Sequence, residues 1–300
     1  MMRLERLFPR NQVYAKLEMF NPMSVKDRAV RSMIAAGLES GEISPETEVV
    51  EASSGNTAIA LAMLGVVMGF KVRAFMSELA SVERRQIICA YGAKVVITPG
   101  AEHTKGARER AMSYCEANPG TTFFLNQHGN PNNGRAHENT TGPEIWEQTN
   151  GALDICVIGL GTSGTFDGLS RYLKGVNPDI KIICFEPQSS PVYSGGAQGH
   201  HKLLGIGPGF ITENFRRSQE NKDELILVPD EAGFEMTRLI AQKEGLFVGP
   251  SSGAAAWVCS QIVKRRGYEK KTIACLFYDT GERYLSTQGL FTNEDPEFMA

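Results

Sequence analysis

The 300-residue sequence lacks the marks of several large protein classes. Charge of neither sign dominates: 31 Lys and Arg face 34 Asp and Glu, for a formal net charge of −3. Nothing in that balance calls for nucleic acid or an anionic membrane as partner. Long apolar runs are missing too. The longest, Thr57 to Phe70, falls short of the roughly 20 residues a membrane-spanning helix requires. The opening MMRLERLFPR has no apolar h-region, which speaks against a secretory signal. None of the six cysteines forms a CxxC pair, and the five histidines make no HxH or HExxH spacing. No metal is therefore expected, and His200-His201 reads as a solvated loop pair. Most cysteines sit in apolar stretches such as DICVIGL and IACLF, as buried free thiols of a reducing cytoplasm would.

What the sequence does have is alternation. At 42% hydrophobic and 22% charged it is ordinary for a globular protein, and its length suits two lobes. From about residue 44, the apolar strands TEVVEA, KVRAFMS, KVVITPG and TTFFLNQ are separated by the helical TAIALAMLGVVMG and SVERRQIICAYGA. A second series contains DICVIGL, TFDGLSRYLKGV, IKIICFEP, ELILVPD, AGFEMTRLIAQKEG, AAAWVCSQIVKRR and TIACLFYD. Strands alternating with helices predict an α/β protein with mainly parallel sheets flanked by helices. Residues 126–142, NQHGNPNNGRAHENTTG, read as a loop where the chain changes lobe, and 188–223 as a second loop region. Ligands of such open sheets bind beyond the carboxyl ends of the strands.

Four places there carry unusual chemistry. In NPMSVKDR, Pro22 and Ser24 signal a helix start, and Lys26 falls in its first turn. The helix dipole disfavours a cation at that position. Gly159–Thr165, GLGTSGT, fits the GxGxxG dinucleotide fingerprint, with Glu186 ending the next strand as its acidic ribose contact. It fits equally a cup for a single phosphate, built from N–H groups and the Thr162, Ser163 and Thr165 hydroxyls. Ser53–Thr57, SSGNT, reads either as a carboxylate seat or as a capped helix start. Pro250–Gly253, PSSG, reads by itself as a cap. A nicotinamide enzyme would use the first loop and leave Lys26 and SSGNT idle. A phosphorylated aldehyde cofactor bound through Lys26 uses them all, since a disfavoured cation is more readily the neutral amine an imine needs.

These residues resemble the cysteine synthase and cystathionine β-synthase family of fold-type II pyridoxal-phosphate enzymes. SVKDR, SSGNT, TTGPEIW, GTSGT, GIGPGF, EGLFVGPSSGAA and GERYLST together span nearly the whole chain. The resemblance implies a smaller, mobile lobe over 20–132 and a larger lobe of 1–19 and 133–300 that holds the cofactor phosphate. It implies Lys26 as the Schiff-base lysine and Asn56 at the cofactor's 3′ oxygen. Ser53, Ser54, Gly55, Thr57 and Gln127 would seat the substrate carboxylate, and Gly207 would lie at the site mouth. Gly161, Thr162, Ser163, Gly164 and Thr165 would hold the phosphate, with Ser251 at the pyridine nitrogen. A serine there cannot keep the ring nitrogen protonated, so loss of a β leaving group is favoured over transamination. The implied reaction is β-replacement on an activated serine, O-acetylserine or O-phosphoserine. It runs through an aminoacrylate and is completed by a sulfur nucleophile to give cysteine. Addition of an amine, hydrogen sulfide release, and a degenerate homologue acting as a binding protein are the competing readings. A cytoplasmic homodimer is implied by the family alone.

The sequence also departs from the family pattern. A leading GNTP segment is absent, so a first strand is expected to be missing or shortened. Only Met23 separates Pro22 from Ser24 where relatives have two residues, and this shortened approach to Lys26 is where altered substrate choice is expected. Ala58 replaces a glycine, His128 an aromatic residue, and Pro250 a non-proline. The ending DTGERYLST resembles that of ordinary cysteine synthases, and at Asp279 the chain is similar to the sulfide-and-thiosulfate branch. Arg216, Arg217 and Lys222 are candidates to hold a distal phosphate if the substrate is O-phosphoserine, or else are solvated charges.

Overall fold

In the computed structural model, which describes residues 1–53 and 55–291, the strands form two sheets. The larger runs β1 (Met2–Arg3), β2 (Gln12–Leu17), β10 (Thr272–Phe277), β7 (Ile155–Gly159), β8 (Lys181–Pro187) and β9 (Glu224–Val228). Its pairs are parallel except β1 with β2. The smaller runs β5 (Lys94–Thr98), β4 (Lys71–Ser77), β3 (Glu48–Ala52) and β6 (Thr122–Phe124), parallel throughout. This is the α/β architecture the alternation predicts.

Period-two alternation sorts the smaller sheet's side chains onto its two faces. Val49, Val72, Ala74 and Met76 pack under α1 (Lys26–Glu39), α2 (Asn56–Met68) and α3 (Val82–Ala90). Val50, Ala52 and Phe75 pack on the opposite side, against Ala107 and Ala111 of α4 (His103–Ala117). The larger sheet is buried between α7 (Gly164–Val176), α9 (Asp230–Glu244) and α10 (Pro250–Ile262), and its strands β7, β8 and β10 are almost wholly buried. Two-sided burial explains why those strands read as unbroken apolar runs.

Residues 126–142 differ from expectation. Most of that segment is helical: α5 (Pro131–Ala136), a π-helical turn His137–Thr141, and the start of α6 (Gly142–Gln148). Pro131 occupies the first turn and the Asn130 side chain accepts from Asn132 N–H at 3.0 Å, a well-formed helix start hidden by Asn and Gly. The stretch 188–223 is mostly irregular, with one short α-helix, α8 (Glu213–Arg217), and two 3-10 turns, Val192–Ser194 and Gln219–Asn221. All six cysteines are free; Cys156, Cys184, Cys259 and Cys275 are buried as expected, whereas Cys89 is exposed. Among the described residues no helix is long and apolar enough to cross a membrane, and no acidic, His or Cys cluster could hold a metal ion.

Candidate active site

The chain turns into α1 through a tight polar knot. Asp27 accepts from the N–H groups of Met23 (2.7 Å) and Ser24 (3.2 Å), while Ser24 Oγ accepts from Lys26 N–H (3.2 Å). Val25 N–H donates to Tyr278 O at 2.9 Å, which ties the turn to the end of β10. Lys26 is thereby the first helical residue, and its side chain faces a cavity of about 320 Å³. Its Nζ has no hydrogen-bond or salt-bridge partner among the described residues. Burial lowers its pKa to about 8, against the opposing pull of the Asp279 carboxylate. Met23 packs instead toward Tyr91 Oη (4.0 Å) and Arg283 Nη2 (3.8 Å), outside the cavity lining, so the shortened approach adds nothing to its wall.

One side of the cavity is the turn from β3 into α2. Ser53, Gly55, Asn56 and Thr57 line it; Ser54 lies outside the described residues. The first N–H groups of α2, those of Asn56 and Thr57, donate to no protein acceptor among the described residues. Gln127 closes this side. Its Oε1 accepts from Thr57 Oγ1 (2.6 Å), its Nε2 donates to Ala52 O (3.0 Å), and its N–H donates to Glu51 (2.9 Å). Burial raises the Glu51 pKa to about 7, although the N–H groups of Gln127 and Ala52 stabilise its charged form.

The opposite side is the turn from β7 into α7. Gly161, Thr162, Ser163 and Thr165 line the cavity, while Gly164 lies just behind them against Asn133. No N–H group from 161 to 165 has a protein acceptor among the described residues, and Ser163 adopts a left-handed φ of 61°. The result is a concave set of donors at the positive end of a 13-residue helix. Gly161 is needed for close approach: a Cβ there would stand 2.6 Å from Gly205 O. Buried side chains hold the loop from behind. Asn133 Nδ2 donates to Thr162 Oγ1 (3.2 Å), Asn214 Nδ2 to Thr162 O (3.0 Å), and Tyr193 Oη to Gly161 O (2.9 Å). His137 Nε2 meets Thr165 Oγ1 at 3.2 Å. The dinucleotide alternative loses its acidic contact here. Glu186 is fully buried and accepts from Tyr193 N–H, Ser194 N–H and Ser194 Oγ at 2.6–2.8 Å.

Ser251, at the start of α10, brings to the cavity lining a hydroxyl with no protein partner among the described residues. Gly207, at φ 62°, lies at its edge, with its N–H on Leu160 O (2.8 Å). Asn56 is held at both ends of its amide: Nδ2 donates to Asp279 (2.6 Å) and Oδ1 accepts from Arg283 (2.9 Å). Asp279 also accepts from Tyr284 Oη. The structure thus brings Lys26, the three loops, Gln127 and Gly207 to one cavity.

A family model described as "Pyridoxal-phosphate dependent enzyme" matches residues 1–279. The chain belongs to that family. This enzyme is 42% identical over 293 residues to the probable cysteine synthase of Bacillus subtilis (strain 168), covering 96% of this chain and 93% of that protein. It is 43% identical over 277 residues to the cysteine synthase of Staphylococcus aureus (strain Mu50), covering 92% and 88%. The crystal structure of cysteine synthase from Entamoeba histolytica superposes with a TM-score of 0.91 at 39% identity, covering 98% of this chain and 87% of that one. The donor set of the enzyme fits pyridoxal phosphate: among the described residues, an unpartnered amine, a separate cup of unpaired N–H groups for a phosphate, and a hydroxyl without a protein partner meet at one cavity.

Several expectations fall elsewhere. Arg216, Arg217 and Lys222 are not in the lining, and Arg217 is spent on Asn214 Oδ1 (2.5 Å) and Gly129 O. Arg84, stacked 4.7 Å from the Tyr284 ring centroid, is the arginine that does line the cavity. The buried supports Asn133, His137, Tyr193 and Asn214 were missed from sequence, since no spacing rule links them to the loop they hold. A more open groove of about 540 Å³, beside the end of α1 and residues 123–132, contains none of the predicted site residues.

Proposed function

We propose that this enzyme is a cysteine synthase, replacing the acetate of O-acetylserine with sulfide to give L-cysteine. The observation that carries the reading is Lys26: a partly buried amine facing the cavity, with a pKa near 8 and no protein partner among the described residues, across from a cup of unpaired N–H groups. The identities of the relatives support the same activity. In this reading pyridoxal phosphate, when bound, supplies the aldehyde for the lysine and the electron-poor ring that eases loss of the α proton. Lys26 anchors the cofactor and then holds the α proton at Nζ. Gly161, Thr162, Ser163, Gly164 and Thr165 hold the phosphate, Asn56 meets the 3′ oxygen, and Ser251 meets the ring nitrogen. Ser53, Ser54, Gly55, Thr57 and Gln127 seat the substrate carboxylate, with Gly207 at the mouth. Residues 20–132 form the lobe that moves, closing over the carboxylate and excluding water. A cytoplasmic homodimer belongs to the same reading, and light scattering of the purified protein tests the dimer.

The deciding experiment adds O-acetylserine, then sulfide, to the yellow holoenzyme. A new visible band with the first addition, discharged by the second with release of L-cysteine, is expected. Absence of a spectral change with every activated serine overturns the reading. Faster discharge by amino-acid amines than by sulfide would instead favour amine addition.

A further inference from the structure

His128 lines the same cavity, next to Gln127, and contacts neither the anion cup nor the carboxylate seat through a hydrogen bond among the described residues. The family pattern has an aromatic residue there. Its backbone is fixed from both sides. Asn126, at φ 52°, accepts from the N–H groups of Gly129 (2.9 Å) and Asn130 (2.8 Å), and His128 O accepts from Asn214 N–H (3.2 Å). The ring itself is seated against Phe210, with centroids 5.1 Å apart. It therefore bridges the carboxylate side of the cavity and the GIGPGF segment at the mouth. A structural histidine so enclosed would have its ring nitrogens paired. Neither nitrogen of His128 has a protein partner among the described residues, and neither is sealed from the cavity, although the residue is only 6% exposed.

We propose that His128 is a specificity-determining residue whose neutral imidazole hydrogen-bonds the substituent on the substrate's β carbon. The proposal rests on the cysteine synthase reading. With the carboxylate seated at Gln127 and the α carbon at Lys26, the β substituent would be left to the part of the cavity that His128 and Gly207 line. Burial, with Arg108 and Lys26 nearby, lowers the ring's pKa to about 3, so at neutral pH it offers one donor and one acceptor and no charge. Such a group suits an uncharged ester carbonyl such as that of O-acetylserine. It is ill matched to the dianionic phosphate of O-phosphoserine, which calls for a cation.

Spectral titration of the bound cofactor tests this with two ligands: O-acetylserine, and L-alanine, which has no β substituent to contact. His128→Phe keeps the ring packing and removes the hydrogen bond; His128→Asn keeps a donor and an acceptor. For O-acetylserine, His128→Phe should weaken the apparent affinity or slow the spectral change by about tenfold, the worth of one neutral hydrogen bond. His128→Asn should recover part of that loss, and L-alanine binding should be unchanged in both. Equal responses of wild type and His128→Phe to O-acetylserine overturn the proposal, as does an equal loss for L-alanine, which would mark His128 as a support of the carboxylate seat. If wild type binds L-alanine but gives no response to O-acetylserine, the cysteine synthase reading falls and this proposal with it. Retention of the resting cofactor band shows that each variant has folded, and His128→Asn carries the test should His128→Phe lose it.

Discussion

Replacing Arg28 by Met should unsettle the enzyme out of proportion to one surface-like charge. Arg28 lies two residues beyond Lys26 in the first turn of α1, and its guanidinium grips two carboxylates in two-pronged fashion. Glu18 accepts at 2.7 and 3.1 Å, and Glu144 of α6 accepts twice at 2.7 Å. The consequences differ for the two acids. Glu144 is a third exposed and keeps Lys16 at 2.6 Å, so its loss should be under about 1 kcal/mol. Glu18 is 1% exposed and would keep only Asn21 Nδ2 at 2.8 Å. A buried carboxylate robbed of its cation costs about 3–5 kcal/mol. The variant should therefore lose about 3–4 kcal/mol in urea unfolding at neutral pH, a large share of the roughly 5–15 kcal/mol typical of a folded protein. Adding Glu18→Gln removes the stranded charge and should restore about half. A loss below about 1 kcal/mol, or no recovery in the double variant, would refute the reasoning that this pair fixes the first turn of α1.

Other outcomes follow from the same geometry. Asp279→Asn removes the charge that holds the Lys26 pKa up, so cofactor uptake by the apoprotein should shift to lower pH; an unshifted profile would show that Asp279 does not act on Lys26. Gly161→Ala puts a methyl 2.6 Å from Gly205 O, and overpacking of that kind should weaken cofactor binding by about tenfold or more, measured by equilibrium dialysis. His128 and His137 stay neutral in the fold, with pKa values near 3 against an ordinary 6.5. Below pH 6.5 the unfolded chain takes up protons that the folded chain refuses, so stability should fall as pH drops from 6.5 toward 3. By pH 4.5 the upper bound is about 2.7 kcal/mol per histidine. Urea midpoints at pH 6.5 and 5 read the effect, and His137→Asn should flatten the slope; an unchanged slope would mean that His137 titrates normally.

Much of this arrangement is legible in the residue order. Strands β7, β8 and β10 announce themselves because burial on both faces leaves nearly unbroken apolar runs, and GTSGT and SSGNT stand at the ends of β7 and β3, where parallel sheets present their loops. What stays hidden has specific causes. β2, QVYAKL, mixes charge and polarity because Lys16 is needed at Glu144, and it pairs with a strand 260 residues away. α4, HTKGARERAMSYCEA, is so polar that only its contacts with β3 and β4 identify the buried side. Residues 126–142 look like loop because some of their Asn and Thr residues are buried as hydrogen-bonding parts: Asn133 donates to Gln127 O at 2.7 Å and to Thr162, and Thr141 Oγ1 meets His137 Nδ1 at 2.9 Å. Poor helix formers are tolerated there because tertiary hydrogen bonds, rather than propensity, hold the helix. Glu186 shows the opposite error, a residue at the right spacing for a ribose whose carboxylate is consumed inside the fold.

Borohydride reduction of the holoenzyme followed by peptide mass mapping decides whether Lys26 is the cofactor's covalent anchor. The expected result is one reduced pyridoxyl-phosphate adduct, on the peptide containing Lys26, and a colourless Lys26→Ala protein with none. An adduct on another lysine, or a Lys26→Ala protein that still binds the cofactor covalently, would rule Lys26 out as the anchor.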